Sequence, residues 1–289
     1  MKTYFIRHTK QLDISKETLD KLIKNNLIAI HFPFEKSLDE KSDSTSINPN
    51  DYDLRNHKEG IKTLNKLSNE GGYVCAEYWT VEGAILGRVD PGTKIQLFEG
   101  EWGTKKDRKA ILKTLPLTKV RRIQPSEYLI ISSGRPRQGT IKMWRSSGDR
   151  IKSLVEKIPL KPELSNLSPT QQEVLCSEYL RYGLDTTGML PTIESYLLPI
   201  GRTLIDVDIA GLSTKGQKIY AQVTYNSFKN SEEKFAKLKK YLSKNTQLIL
   251  FCQCEKPQLI DNIIVYPLQL TFDVYSKSDI GKKWLKNIF

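Results

Sequence analysis

The chain has 289 residues, a formal net charge of +12, a hydrophobic fraction of 38% and an aromatic fraction of 9%, a composition that excludes general disorder. It has no apolar run long enough to span a membrane, and residues 1–8 lack the apolar stretch of a signal peptide. We therefore expect a cytoplasmic protein.

The first part of the chain predicts an α+β, mainly β domain over residues 1–157. A strand, a helix and a strand are predicted within residues 3–32, followed by a polar loop at 35–56 and a helix at 58–68. Short strands at regular spacing then favour a small barrel or a compact sheet. We place these strands at 73–79, 84–89, 94–98, 114–124 and 128–132.

Nearly all of the net positive charge of the chain arises in one stretch. Residues 105–157 contain fifteen Lys and Arg and four acids, a net of +11, whereas residues 1–104 have a net of −2 and residues 158–289 a net of +3. A field of one sign attracts polyanions, and nucleic-acid backbones are the commonest of these in the cytosol. We therefore predict a nucleic-acid-binding surface. The alternatives are an acidic protein, a membrane surface, or a basic face that serves solubility alone.

Two clusters within this stretch are the predicted contacts. Glycines allow close backbone approach and arginines can bind phosphate or guanine edges, whereas Trp144 either stacks on a base or packs in the core. A pocket of Tyr78, Trp79 and Trp102 that reads a flipped base is a further hypothesis. The predicted nucleic-acid-binding residues are Lys119, Arg121, Arg122, Arg135, Arg137, Lys142, Trp144 and Arg145.

Residues 158–168, with two prolines, are interpreted as a linker to a second domain at 169–289. That domain opens with a helix, because Ser168 suits the N-cap, Pro169 the first helical position and Gln171 the capping box. Strands at 202–211 and 218–224, a helix at 231–243, and strands at 246–254 and 263–266 complete an α/β sandwich. The four cysteines lack a CxxC pattern, which favours buried free thiols over a zinc site.

Three polar residues follow one another on these elements: Glu173 on the first helix, Asp208 in the run Val-Asp-Ile-Ala-Gly, and Gln222 in Ala-Gln-Val-Thr. This pattern resembles the Mrr-like branch of the PD-(D/E)xK nuclease superfamily, over about residues 167–266. The resemblance implies a restriction-endonuclease-like fold in which Glu173, Asp208 and Gln222 are catalytic. It also implies Mg²⁺ held by Asp208 and Glu173, with Asp206 as a further acid, to generate hydroxide.

The lysine of the family motif is replaced by Thr224. Either the lysine has migrated, with Lys218 and Lys229 as candidates, or the site is degenerate; we take Lys218 into the catalytic set. One hypothesis is therefore a Mg²⁺-dependent DNA endonuclease of the restriction or defence type. The alternative is a non-catalytic DNA-binding module in a larger defence or regulatory complex. RNA as the polymer, and a homodimer as the assembly, both stay open.

Overall fold

The computed structural model describes residues 1–32, 43–104, 107–136, 138–198 and 206–289. The chain divides into two compact units, unit 1 (Met1–Leu160) and unit 2 (Lys161–Phe289). In the described residues, no helix is both long and apolar enough to cross a membrane. Both units mix helices with sheets, so the prediction of a mixed α/β chain is confirmed.

Unit 1 contains eight strands and four helices within the residues described. The strands are β1 (Lys2–His8), β2 (Leu27–Ile30), β3 (Gly72–Tyr78), β4 (Ala84–Val89), β5 (Gln96–Glu101), β6 (Lys109–Pro116), β7 (Thr118–Ile123) and β8 (Ile141–Met143). The helices are α1 (Lys16–Lys24), α2 (Arg55–Glu70), α3 (Pro125–Ser132) and α4 (Gly148–Glu156).

The strands of unit 1 form two open sheets and not a barrel. A five-stranded sheet has the order β7-β4-β3-β1-β8, in which β1 and β3 are parallel, and a three-stranded antiparallel sheet has the order β2-β6-β5. Apolar cores cover both faces of the larger sheet, since alternate strand residues point to opposite sides. In this strand order, β7 lies at one edge of the larger sheet and β8 at the other.

The strand predicted at 128–132 is part of helix α3. Pro125 occupies the start of this helix, where its fixed φ suits the helix and its missing N–H is not needed. The four apolar residues that follow Glu127 cannot distinguish a strand from a helix by pattern alone. The polar loop predicted at 35–56 lies partly outside the described residues.

His8 on β1 connects three strands of unit 1, because its ring makes hydrogen bonds to the main chains of β2 and β3. Its Nδ1 donates to the Glu77 carbonyl at 3.0 Å, and its Nε2 accepts from the Ala29 amide at 3.2 Å. The ring stacks on Tyr78 with centroids 4.1 Å apart. Burial lowers the pKa of His8 to about 4, so the neutral ring is the form that the fold holds.

Unit 2 contains six strands and four helices within its described residues. The strands are β9 (Ile193–Tyr196), β10 (Ile209–Ser213), β11 (Lys218–Ser227), β12 (Thr246–Gln253), β13 (Gln258–Ile260) and β14 (Ile263–Pro267). The helices are α5 (Pro169–Arg181), α6 (Glu232–Lys239), α7 (Leu268–Lys277) and α8 (Asp279–Ile288). Residues 202–205 of the strand predicted at 202–211 lie outside the described residues.

Unit 2 is a three-layer α/β sandwich. Its sheet has the order β13-β14-β12-β11-β10-β9, with β11, β12 and β14 parallel. Helices α5, α7 and α8 pack on one face and α6 on the other. The capping box predicted at Ser168 and Gln171 begins α5.

Part of the predicted linker belongs to this sandwich. Leu164 and Leu167 are buried in the core of unit 2, so residues 158–168 are only in part a connector. All four cysteines are free, and Cys75, Cys176 and Cys252 are buried whereas Cys254 is half-buried.

Candidate functional site

The candidate site lies at the C-terminal end of β11. Strands β11 and β12 are parallel, and α6 connects them, so α6 begins near the end at which β11 finishes. Ligands of α/β sheets bind at this end of the parallel strands, where side chains from successive loops meet. Strand β10 adds a third element, since Asp208 directly precedes its first residue.

Asp208 is fixed against β11 by main-chain hydrogen bonds. Its N–H donates to the Ala221 carbonyl at 2.9 Å, and its carboxylate Oδ2 accepts from the Val223 N–H at 2.8 Å. The side chain thus takes the place that a strand carbonyl would have in the ladder. The second oxygen, Oδ1, accepts no hydrogen bond from the residues that the structure describes.

Gln222 is buried, at 3% exposure, although its amide is polar. Its Nε2 donates to the carbonyl of Asp206. Its Oε1 is buried without a hydrogen-bond partner in the described structure. A buried acceptor of this kind can be completed by a water, an ion or a ligand, and Oε1 of Gln247 on β12 is in the same condition.

Two lysines of α6 lie beside these acids. The Nζ of Lys234 donates to the Val223 carbonyl at 2.7 Å and lies 3.9 Å from Oδ2 of Asp208. The Nζ of Lys237 lies 4.0 Å from Oδ1 of Asp206. Asp208 and Lys234 are therefore held together by the backbone of Val223.

Glu173 approaches from the opposite face of the sheet, because α5 packs against β11 on the side away from α6. Glu173 and Asp208 both act electrostatically on the buried thiol of Cys176. Burial raises the pKa of that thiol, and the charges of Asp208 and Glu173 raise it further. Both acids therefore lie within electrostatic reach of the same buried group.

Neither lysine predicted for the site lies beside Asp208. Lys218 is the first residue of β11 and pairs with Leu212 and Thr246. Gln222 is four positions further along β11, so the two residues are roughly 13 Å apart along the strand. Lys229 is exposed on the turn that follows β11. Thr224 is buried, and its hydroxyl accepts from the Asn226 N–H at 3.2 Å.

The three acids predicted to hold a metal do not form one cluster. Over the described ranges, no three His, Cys, Asp or Glu side chains come together as a metal-binding group. The carboxylate of Asp206 lies near the amine of Lys237, whereas that of Asp208 accepts a hydrogen bond from Val223 and lies near the amine of Lys234. Asp208 and the amine of Lys234 remain together at Val223, and Gln222 directly precedes Val223 on the same strand.

Sequence reasoning missed Lys234 and Lys237. A signal was available, because the first turn of a helix that follows a parallel strand returns over the end of that strand. Lys234 lies in this first turn of α6, and Lys237 follows three residues later on the same helical face.

The basic residues predicted in unit 1 do not form one patch. Three of them bind acids: Lys119 pairs with Glu156, Arg121 with Glu127 and Arg135 with Glu77. Three are exposed and make no ion pair with described residues, namely Arg122, Lys142 and Arg145. Arg122 is on edge strand β7 and Lys142 on the opposite edge strand β8, four strand spacings or about 19 Å away. Arg137 lies outside the described residues.

The prediction that Trp144 stacks on a base is wrong. Trp144 is 2% exposed, and it packs edge-on against Phe5 with centroids 5.4 Å apart. Its indole N–H donates to the Ser146 hydroxyl at 3.0 Å. The aromatic pocket also fails to form, because Tyr78 is buried on His8 whereas its neighbour Trp79 is exposed beside Lys10.

Comparison with known proteins gives one weak similarity. No family model matches the chain, and no curated protein matches it significantly. Among solved structures, the chain is similar to the crystal structure of a repair endonuclease from Pyrococcus abyssi, with 13% identity and a TM-score of 0.21. The similarity covers 71% of this chain and 88% of that one, and a TM-score of this size does not establish a shared fold.

Proposed function

We propose that this chain is a metal-dependent phosphodiesterase that cleaves DNA, with its active site at the C-terminal end of β11. The observation that carries the proposal is that Asp208 and Lys234 both bind the backbone of Val223, directly after the buried residue Gln222 on the same strand. An acid and an amine held at one residue, with a buried amide oxygen on the preceding residue, match what phosphodiester hydrolysis needs: a metal ligand and a cation beside the phosphate. In this proposal Lys234 takes the role of the motif lysine, whose position in the PD-(D/E)xK pattern is occupied here by Thr224.

The residues fit a magnesium ion. Oδ1 of Asp208 and the unpaired Oε1 of Gln222 are hard oxygen donors, and Mg²⁺ is commonly held by one or two carboxylates with waters and substrate phosphate. A bound Mg²⁺ would supply an activated water and stabilise charge on the phosphate. The three-acid set is not required for this, and Glu173 would act from the other face of the sheet.

The chain's own groups have separate tasks in this proposal. The Val223 N–H holds the Asp208 carboxylate in place, and the Asp206 carbonyl holds the Gln222 amide with its oxygen free. The Lys234 ammonium is positioned by the Val223 carbonyl and places positive charge beside the scissile phosphate. A restriction or defence role, a cytoplasmic location and a dimeric or larger assembly stay predictions.

Cleavage assays test the proposal directly. Labelled single-stranded DNA, duplex DNA and RNA are incubated with the full chain and Mg²⁺, alongside Asp208→Asn. We expect metal-dependent cleavage that Asp208→Asn abolishes. The matched control is Asp261→Asn, since Asp261 is an exposed acid of the same unit that pairs with Lys239 at 2.6 Å. Cleavage that is equal in wild type and Asp208→Asn, or no cleavage of any polymer, would reject the proposal.

A non-catalytic DNA-binding module is the second candidate, and burial of Thr224 favours it. Thr224 occupies the motif position at which the family has a lysine. Its side chain is buried, and its hydroxyl accepts a hydrogen bond from the Asn226 N–H. This candidate predicts salt-sensitive DNA binding without turnover in any metal. Binding with no cleavage, unchanged by Asp208→Asn, is the result that would select it.

A further inference from the structure

Beyond the candidate site, β11 continues with an irregular segment. Val223 pairs with Phe251, and the next pair is Ser227 with Gln253, so four steps along β11 match two steps along β12. We refer to this shift of register, with its two extra residues on β11 between Val223 and Ser227, as a bulge. Bulges bend a strand and redirect a side chain, and they are frequent beside active sites.

Within this bulge Tyr225 and Asn226 are both exposed to solvent, and the aromatic one is Tyr225. It is 50% exposed, whereas Gln222, Val223 and Thr224 just before it are buried. The bulge is supported by the Asn226 N–H, which donates to the Thr224 hydroxyl at 3.2 Å. Tyr225 is two residues from the Val223 backbone that holds Asp208, so the Cα atoms of the two residues are at most about 7 Å apart.

The ring of Tyr225 has no hydrogen bond and no ring contact with the residues that the structure describes, in contrast to other tyrosines of unit 2. The Tyr196 hydroxyl accepts from the Ser177 hydroxyl at 2.7 Å and donates to the Ser177 carbonyl at 3.1 Å, and Tyr220 packs on Tyr241 with ring centroids 5.1 Å apart. An exposed aromatic ring beside a phosphate-binding site offers a flat surface on which a base can stack.

We infer that Tyr225 stacks on an unpaired base next to the scissile phosphate, so that the site takes single-stranded DNA. A continuous duplex keeps its base faces inside the stack, whereas a single strand exposes them to an aromatic side chain. Lys229, exposed four residues later, supplies a cation for the adjoining phosphate. The inference names the substrate class of the proposed active site and therefore rests on that proposal.

Equilibrium binding tests this inference separately from cleavage. The full chain is titrated in EDTA, by fluorescence anisotropy, into a labelled 20-nucleotide single strand and into the matching duplex. We expect Tyr225→Ala to raise Kd for the single strand about tenfold and to leave Kd for the duplex within about twofold. Tyr225→Phe and Tyr225→Trp keep the ring, so both should bind the single strand within about threefold of wild type.

Tyr182→Ala is the matched control, because Tyr182 is an equally exposed tyrosine of unit 2, at 48%, with Arg181 over its ring. It should leave both dissociation constants unchanged. Equal effects of Tyr225→Ala and Tyr182→Ala, equal effects on single strand and duplex, or no single-strand binding by wild type would overturn the inference. If the ring effect is found but Mg²⁺ supports no cleavage, the stacking surface stands and the catalytic proposal fails.

Discussion

The basic stretch of unit 1 and the candidate site of unit 2 treat polar groups in different ways. In unit 1, Glu77 forms ion pairs with Arg7 and Arg135. Glu156 forms ion pairs with Arg88 and Lys119. In unit 2, the buried Oε1 of Gln222 has no hydrogen-bond partner among the residues that the structure describes. Polar groups that satisfy one another hold a fold together, whereas a buried atom left unpaired costs stability unless a ligand completes it. An unpaired buried atom does not mark a site by itself, because Nε of Arg150 in the basic stretch is also buried without a hydrogen-bond partner among the described residues. The proposal therefore depends on the combination in unit 2 of an acid, an amine and an unpaired amide oxygen on neighbouring residues.

The largest expected effect concerns the tryptophan that joins the basic stretch to the core. Trp144→Ala removes a buried indole and leaves a cavity, so it should lower the free energy of unfolding by about 3–5 kcal/mol. Urea denaturation followed by circular dichroism measures this. A loss below about 1 kcal/mol, together with weaker DNA binding by the folded protein, would restore Trp144 to the binding surface and weaken the contrast between the units.

The second prediction separates two lysines of unit 2. Lys234→Met should lower the DNA cleavage rate about 100-fold, because it removes the cation that Val223 positions beside Asp208. Lys218→Met, at the far end of β11, should leave the rate within about twofold. Single-turnover cleavage with saturating protein measures both. The reverse order of effects would move the site to the beginning of β11.

The third prediction concerns pH and the histidine of unit 1. The folded pKa of His8 is about 4 and the unfolded value is about 6.5, so the unfolded chain takes up the proton first as pH falls. Stability is therefore complete above pH 6.5 and is lost progressively toward pH 4, by about 2 kcal/mol at pH 5. Urea titrations at pH 7.5 and pH 5 measure the loss.

His8→Gln is the control for this pH effect, because a glutamine can offer one donor and one acceptor without titrating. The variant should show a smaller loss of stability between the two pH values than wild type. An unchanged loss would mean that other groups, and not His8, set the acid sensitivity of the fold.

The smallest expected effect tests the basic stretch itself. Arg122→Ala removes an exposed unpaired cation, so it should weaken DNA binding a few-fold and lower the slope of log K against log salt by about 1. Arg121→Ala should leave the slope unchanged, because its guanidinium is committed to Glu127 at 2.7 Å. Anisotropy titrations at several salt concentrations measure both. Equal slopes for the two variants would show that ion pairing does not decide which arginines bind.

Local patterns predicted those parts of the molecule that depend on neighbours in sequence. The capping box at Ser168 set the start of α5, and stretches rich in apolar residues located β11 and β12. The motif order also placed Asp208 beside Gln222, since adjacent strands bring their residues together.

Contacts between distant residues could not be predicted in this way. Glu77 neutralises Arg135 across 58 positions, so a count of charge along the chain overstates the field of residues 105–157. Lys234 reaches Val223 only because α6 folds back over the sheet. Helix α3 replaced a predicted strand because a proline-started turn outweighed a short apolar run.

Val223 has an unusual position in the candidate site, because both bonds that hold Asp208 and Lys234 come from its main chain. Its side chain only fills the core, so isoleucine or another apolar residue of similar size should be accepted there. A mutational scan would therefore score this residue as replaceable, although the geometry of its two neighbours is built around it. Backbone amide exchange or an ester substitution, rather than side-chain exchange, is the probe that would reveal its importance.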